Sequence, residues 1–199
     1  GETYQVCSDN LFAMNPTNGQ QAWKYERGLI LNITITIADG KVFFLECTNA
    51  AAISADLRNL PAATWKQNLK MVCLDLNTGI VLWDKSISPN GGEPAIWLQH
   101  SAGKLVLTGS EHSDDTYYIA TFDAATGNPS WSASHSWKSS HHGGNHQHPV
   151  IQGGSIFLEP HKYSLANGAR SSNVMPGRNG CSTFLGSKNT LMYRGGGMS

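Results

Sequence analysis

The chain is a succession of short apolar runs, several of them alternating with polar residues, each closed by glycine, asparagine or aspartate. The middle of the chain shows the pattern most clearly. Ala95-Ile-Trp-Leu-Gln99 leads to a turn at Gly103. Leu105-Val-Leu-Thr108 follows, then Tyr117-Tyr-Ile-Ala-Thr-Phe122 and a turn at Gly127. Runs of this length, bounded by turn formers, read as strands. They predict one four-stranded unit: an inner strand at 95–99, a second at 105–108, a loop over 109–116, a third at 117–122 and an outer strand around Trp131. No stretch keeps a helical period for an adequate length. Residues 49–68 read as a long insertion with room for a short helix.

The unit recurs. Ala13-Met-Asn-Pro-Thr-Asn-Gly-Gln-Gln-Ala-Trp23, Cys73-Leu-Asp-Leu-Asn-Thr-Gly-Ile-Val-Leu-Trp83 and Thr121-Phe-Asp-Ala-Ala-Thr-Gly-Asn-Pro-Ser-Trp131 are three copies, and Tyr163-Ser-Leu-Ala-Asn-Gly168 is a decayed fourth without the tryptophan. The glycines at 19, 79, 127 and 168 are 60, 48 and 41 residues apart, close to the period of propeller blades. In each copy a strand ends in Asp or Asn, whose side chain can bond the backbone of the turn that follows. Glycine then accepts a positive φ at low cost. A tryptophan four residues later is large enough to cover the edge of the neighbouring blade and is expected to be buried there. Asp39-Gly-Lys, Ala102-Gly-Lys and Gly153-Gly-Ser mark a second set of tight hairpins.

These motifs resemble the repeats of the PQQ-type, quinoprotein-like propeller family, which run aliphatic-x-Ala-Leu-Asp-x-x-Thr-Gly-x-x-x-Trp. The resemblance spans nearly the whole chain. It implies an all-β fold, a β-propeller of four-stranded antiparallel blades, and residues 1–199 form a single segment of it. Starting within a second or third strand, the chain holds about three and a half blades, an incomplete ring where closed propellers have ~4–8. The remaining blades are expected from the same or another chain, or from self-association. The family includes cofactor-using alcohol dehydrogenases and outer-membrane assembly scaffolds, so the resemblance implies a periplasmic or extracellular location and leaves the activity open. The stretch His141-His-Gly-Gly-Asn-His-Gln-His-Pro149, with Arg178-Asn-Gly-Cys181 and Tyr193-Arg194, is also similar to large propeller proteins of planctomycete-like bacteria. The family's quinone enzymes carry an adjacent Cys-Cys disulfide and a Glu/Asn/Asp calcium set. No Cys-Cys occurs here and no calcium set aligns, so PQQ is not supported by this segment.

Composition narrows the partners. The 14 basic and 14 acidic residues cancel and no basic stripe is present, which gives a nucleic acid no electrostatic footing. No apolar run approaches the ~18 residues of a membrane span. Cys7, Cys47, Cys73 and Cys181 are widely spaced; Cys73 reads as a buried thiol, and Cys7 with Cys47 is a candidate disulfide. Asn32-Ile-Thr34 matches a glycosylation acceptor but falls in an apolar strand.

Propeller topology puts the repeat turns on one face and the longer, irregular connections on the other, where function tends to sit. Those connections supply His135, His141, His142, Asn145, His146 and His148; Glu111, His112, Asp114 and Asp115; Glu159 and His161; and Arg178, Asn179 and Arg194. Seven of the eight histidines map there, and His100 ends an inner strand. His146-x-His148 sets two imidazoles on one side of an extended segment. Neutral imidazole ligates zinc or copper, so His141, His142, His146 and His148 are candidate ligands for a divalent metal. Glu111, His112, Asp114, His161 and Arg178 are candidates for a ligand face beside them. Two other readings stand next to this one: histidines that bond backbone around the channel mouth, and acid–base chemistry by one histidine with Glu111 or Asp114. At the level of function, a binding or scaffold module of an exported bacterial protein, with a protein partner, is set against two rivals. One is an oxidoreductase using a quinone, haem or metal at the mouth; the other is a purely structural scaffold.

Overall fold

The computed structural model describes residues 4–91, 95–111, 116–136, 148–172, 175, 184–187 and 189–192. The chain divides into two compact units, residues 1–89 with 98–105 and 123–128, and residues 90–97 with 106–122 and 129–199.

In chain order the first strands are β1 (Tyr4–Ser8), β2 (Leu11–Met14), β3 (Gln21–Tyr25), β4 (Leu29–Leu31), β5 (Thr36–Ala38) and β6 (Lys41–Cys47). The insertion follows with α1 (Ala50–Ile53), β7 (Asn59–Pro61) and α2 (Ala62–Trp65), and then come β8 (Leu69–Asp75) and β9 (Val81–Ser86). One sheet runs β7–β1–β4–β6–β8–β9, with β5 also on β6, and β2 and β3 form a separate hairpin. The opening strand thus leaves the β2–β3 hairpin that follows it. It pairs instead with β4, Cys7 opposite Leu31, and with the insertion strand β7, Val6 opposite Asn59. The insertion holds two short helices rather than one. Asn49 caps α1 by accepting from Ala51 N at 3.0 Å.

β10 (Ile96–Ser101), β11 (Lys104–Glu111), β12 (Thr116–Asp123) and β13 (Pro129–Ser136) form a four-stranded antiparallel sheet in that order, the blade read from the sequence. β14 (Val150–Gln152), β15 (Ser155–Leu158) and β16 (His161–Ser164) form a three-stranded sheet, and β17 (Leu185–Ser187) pairs with β18 (Thr190–Met192). The second and third strands of the blade are longer than expected. β11 runs on to Glu111 and β12 begins at Thr116, which takes both ends of the expected loop 109–116 into the sheet.

The repeat motif is built as its chemistry demands. Asp75 Oδ1 accepts from Asn77 N, Thr78 N and Thr78 Oγ1 at 3.0, 2.9 and 2.8 Å, and Asp123 does the same with Ala125 and Thr126 at 3.1, 2.9 and 2.8 Å. These bonds, led by the threonine hydroxyl, hold both carboxyls below their ordinary range. Glycine serves twice in the motif. Gly79, Gly127 and Gly168 have φ of +69°, +71° and +74°, and a Cβ on each would lie 2.7, 2.7 and 2.6 Å from the ring of the preceding copy's tryptophan: Trp23, Trp83 and Trp131. Trp23 and Trp131 also donate their indole N–H to Leu76 O and Leu165 O, at 2.8 and 3.0 Å. Trp23 is 9% exposed, whereas Trp83 and Trp131 are half-buried, so the expected burial is complete only at the first copy. The tryptophans face Ala13, Cys73 and Thr121 across their hairpins, and a bulge follows each of these residues, so the copies share one register.

In the first unit Trp23, Tyr25, Ile30, Val42, Phe44, Val72 and Leu74 form the core that seats the β2–β3 hairpin on the large sheet. In the second, Val106, Tyr117, Ile119, Ile156, Leu158, Tyr163 and Leu165 join the four- and three-stranded sheets. Cys7, Cys47 and Cys73 are free and buried. β4 lies between the strands that carry Cys7 and Cys47. Two inter-strand spacings of about 4.8 Å exceed the roughly 7 Å Cα limit of a disulfide, so the candidate pair is not formed. Residues 32–34 are a 3-10 turn rather than a strand, and the Thr34 hydroxyl is spent on Leu31 O and Leu45 N, at 2.7 and 2.9 Å.

Candidate functional site

Antiparallel pairing in the four-stranded sheet brings the start of β10, the end of β11, the start of β12 and the end of β13 together. Ser110 N donates to Ala95 O at 3.0 Å, Thr116 faces Ser136, and Tyr117 faces His135. In the three-stranded sheet the corresponding end carries Val150, Leu158 and His161, with Leu158 opposite His161. Of the sequence-predicted residues, Glu111 ends β11, His161 opens β16, and His148 stands two residues before β14. His112, Asp114, His141, His142, His146 and Arg178 lie outside the described residues.

His135 departs from its expected place. It lies within β13, 5% exposed, and not on a loop. The reason is strand periodicity: Trp131, Ala133 and His135 share one face, and the first two pack on the core of this unit. Both ring nitrogens are engaged. The Tyr163 hydroxyl donates to Nδ1 at 2.8 Å, which leaves Nε2–H to donate to the Glu159 carbonyl at 3.0 Å. Burial pushes the His135 pKa down to about 4; the Glu159 carbonyl opposes the shift, while His161 and Arg170 add to it. His161 meets His135 edge-on at 4.8 Å, and its Nδ1 is buried with no hydrogen-bond partner. Burial, then Arg170, lowers the His161 pKa. Glu159, fully buried, precedes a cis proline.

The second group at this end surrounds Trp97. His148 is half-buried and meets the indole edge-on at 4.7 Å. Burial lowers its pKa, and a bond with the Pro149 backbone opposes that. Trp97 also lines a cleft with Ala95, Thr108, Gly109, Ser110 and Tyr117, the same Tyr117 whose ring lies 5.5 Å from His135. Sequence reasoning missed Trp97, Thr108 and Ser110. Their signal was a tryptophan on an innermost strand facing hydroxyl residues spaced by two on its neighbour. Among the described residues no group of three or more His, Cys, Asp or Glu is placed to hold a metal. His148 is the one described member of the candidate metal set.

The remaining histidine belongs elsewhere. His100 stacks on Phe43 with ring centroids 6.0 Å apart, and its Nε2 is 3.3 Å from Asp39 Oδ2. It ties β10 to the β5–β6 hairpin, as an inner-strand residue rather than a member of the candidate site.

The model of the family described as outer membrane protein assembly factor BamB matches residues 2–171. The chain belongs to this family. Among solved structures it is similar to BamB from Moraxella catarrhalis, at 13% identity and a TM-score of 0.55 over 96% of this chain and 57% of that one. It is also similar to a europium-containing methanol dehydrogenase (18% identity, TM-score 0.42, 67% of this chain and 23% of that one). A quinohemoprotein alcohol dehydrogenase from Comamonas testosteroni matches at 17% identity and a TM-score of 0.42, over 66% of this chain and 19% of that one. No curated protein matches the chain in sequence. The BamB likeness carries the fold: this is a β-propeller module of PQQ-type repeats, and it spans little more than half of that solved propeller. No helix among the described residues is long and apolar enough to cross a membrane.

Proposed function

We propose that this chain is a binding module of an exported bacterial protein, periplasmic or extracellular, that engages a ligand or protein partner at the end of the blade where β10–β13 gather Ala95, Glu111, Thr116 and Ser136. The observation that carries the reading is the unsatisfied polar chemistry at that end. The indole N–H of Trp97 and the hydroxyls of Thr108 and Ser110 are buried there without hydrogen-bond partners among the described residues, and the three gather at one cleft. Family membership supports a module that works through partners rather than through a reaction. His135, with both nitrogens spent on Tyr163 and Glu159, is a poor candidate for acid–base work.

The His-rich stretch of the sequence lies between Ser136, which ends β13, and His148, whose ring meets Trp97 edge-on. In this reading His141, His142, His146 and His148 take up zinc or copper, and Glu111, His112, Asp114, His161 and Arg178 border the ligand face. The test is calorimetric titration of zinc and copper into metal-stripped, untagged protein at neutral and acidic pH, beside a His146→Ala, His148→Ala double variant. Uptake at neutral pH is expected to vanish in acid, since only neutral imidazole has a lone pair to donate, and to vanish in the variant. Equal affinity in parent and variant would remove the metal from the proposal. Visible absorbance from a tightly held chromophore would replace the binding module with an oxidoreductase.

A further inference from the structure

Trp97, Thr108 and Ser110 line one cleft, and Trp97 Nε1, Thr108 Oγ1 and Ser110 Oγ have no hydrogen-bond partner among the described residues. Thr108 and Ser110 are each 2% exposed. They are two apart on β11, so strand geometry sends both hydroxyls to the same side. Ala95, Gly109 and Tyr117 complete the walls of a narrow cleft that opens in part to solvent and has no room for a water to bridge the polar atoms. Native proteins leave few buried polar side chains unpaired, and three in one cleft call for an occupant.

We propose that this cleft is a binding site in its closed form, and that it takes an uncharged carbonyl group, of which a primary amide is the simplest carrier. The assignment rests on reading this end of the blade as the working surface. The indole N–H can only donate, so the occupant must accept; the two hydroxyls can donate or accept and adapt to either atom of an amide. Among the described residues no charged side chain lines the cleft. A carboxylate entering it would lose its water without gaining a counter-charge, and an ammonium would face a donor. The Tyr117 ring and Ala95 supply apolar walls for the flat body of an amide. Trp97 is the wall that is partly exposed, and its ring meets the edge of His148. Turning the indole away from Thr108 and Ser110 opens the space.

The experiment follows the six indole N–H resonances of the whole chain by NMR, with Trp97→Phe assigning the one of interest. The probes are acetamide, acetate and methylammonium. Acetamide should shift the Trp97 indole N–H saturably while the other indoles stay in place, and acetate and methylammonium should not. In Thr108→Val with Ser110→Ala the response should weaken at least about tenfold, the loss expected when hydrogen-bonding groups are removed from a desolvated site. These substitutions delete groups that have no partner, so the fold should tolerate them; a dispersed amide spectrum checks this, and Ser110→Ala alone serves if the double variant does not fold. A response to acetate equal to that to acetamide, a non-saturating drift shared by all indoles, or an unchanged response in the variant overturns the assignment. Zinc or copper uptake is measured separately, so a failed amide response with intact metal uptake rejects this site and leaves the binding-module reading standing.

Discussion

Each unit buries an ionisable side chain beneath a tyrosine hydroxyl, and the two solutions differ. In the first unit Tyr25 donates to Glu46 Oε1 at 2.8 Å, and Glu46 is fully buried. Its other oxygen has no hydrogen bond and lies 3.8 Å from Arg27, which bonds Asp84 at 2.9 Å, which in turn bonds Lys70 at 3.0 Å. In the second unit Tyr163 donates to His135 at the same 2.8 Å, and a backbone carbonyl takes the other nitrogen. A buried carboxylate needs opposite charge, and the charge that serves it must be compensated in turn, so the chain of partners runs out to solvent. A buried neutral imidazole is satisfied by two uncharged bonds and needs no such chain. The first arrangement therefore leans on charge, and the second on the absence of a proton.

The largest expected difference is in acid. Folded His135 titrates near pH 4 and the unfolded side chain near 6.5. As pH falls the unfolded chain takes the proton first. The contribution of His135 is intact above about 6.5, declines through the window and levels off below about 4, a loss of about 3 kcal/mol. Denaturant unfolding of the parent and of His135→Asn at pH 7.5 and 4.5 measures it. The variant should lose less stability on acidification, and parallel pH profiles would show that His135 is not held neutral by the fold.

Removing the hydroxyls compares the acceptors directly. Tyr25→Phe takes a bond from a carboxylate and should cost about 2 kcal/mol, whereas Tyr163→Phe takes one from a neutral ring and should cost about 1 kcal/mol. The reverse order in denaturant midpoints would mean that Arg27 already satisfies Glu46 and that the comparison is drawn in the wrong place. The smallest effect is expected at the solvent end of the first chain. Lys70→Met removes one half-exposed ion pair and should cost at most about 0.5 kcal/mol, shrinking further in high salt. A loss several times larger would make Lys70 part of the compensation that Glu46 requires.

Much of the fold was legible because its signals are local. Asp75 and its turn, Gly79 with positive φ, and the paired turn residues Asp39-Gly40 and Ala102-Gly103 each depend on a few consecutive residues. Trp23 resting on Gly79 was legible from the repeat itself, since a motif that recurs must meet its own copy. The candidate site was less legible. Its histidine-rich neighbours point His135 to a loop, although its spacing from Trp131 and Ala133 puts it on the core face. Nothing in Leu45-Glu-Cys47 announces that a tyrosine 21 residues away bonds Glu46.

The sequence by itself determined the blade: strand, Asp-anchored turn, glycine and tryptophan follow from φ preferences, side-chain reach and period-two alternation. It also placed His141, His142, His146 and His148 close together along the chain. Tertiary structure decided what no local rule reaches. It sent β1 to β4 and β7 in place of its neighbouring hairpin, left Cys7 and Cys47 a strand apart, made His135 a neutral core residue, and closed Trp97 over two hydroxyls. Pairing between distant strands is chosen by total burial and hydrogen bonding over the whole sheet, and a polar atom acquires or loses its partner only when that choice is complete.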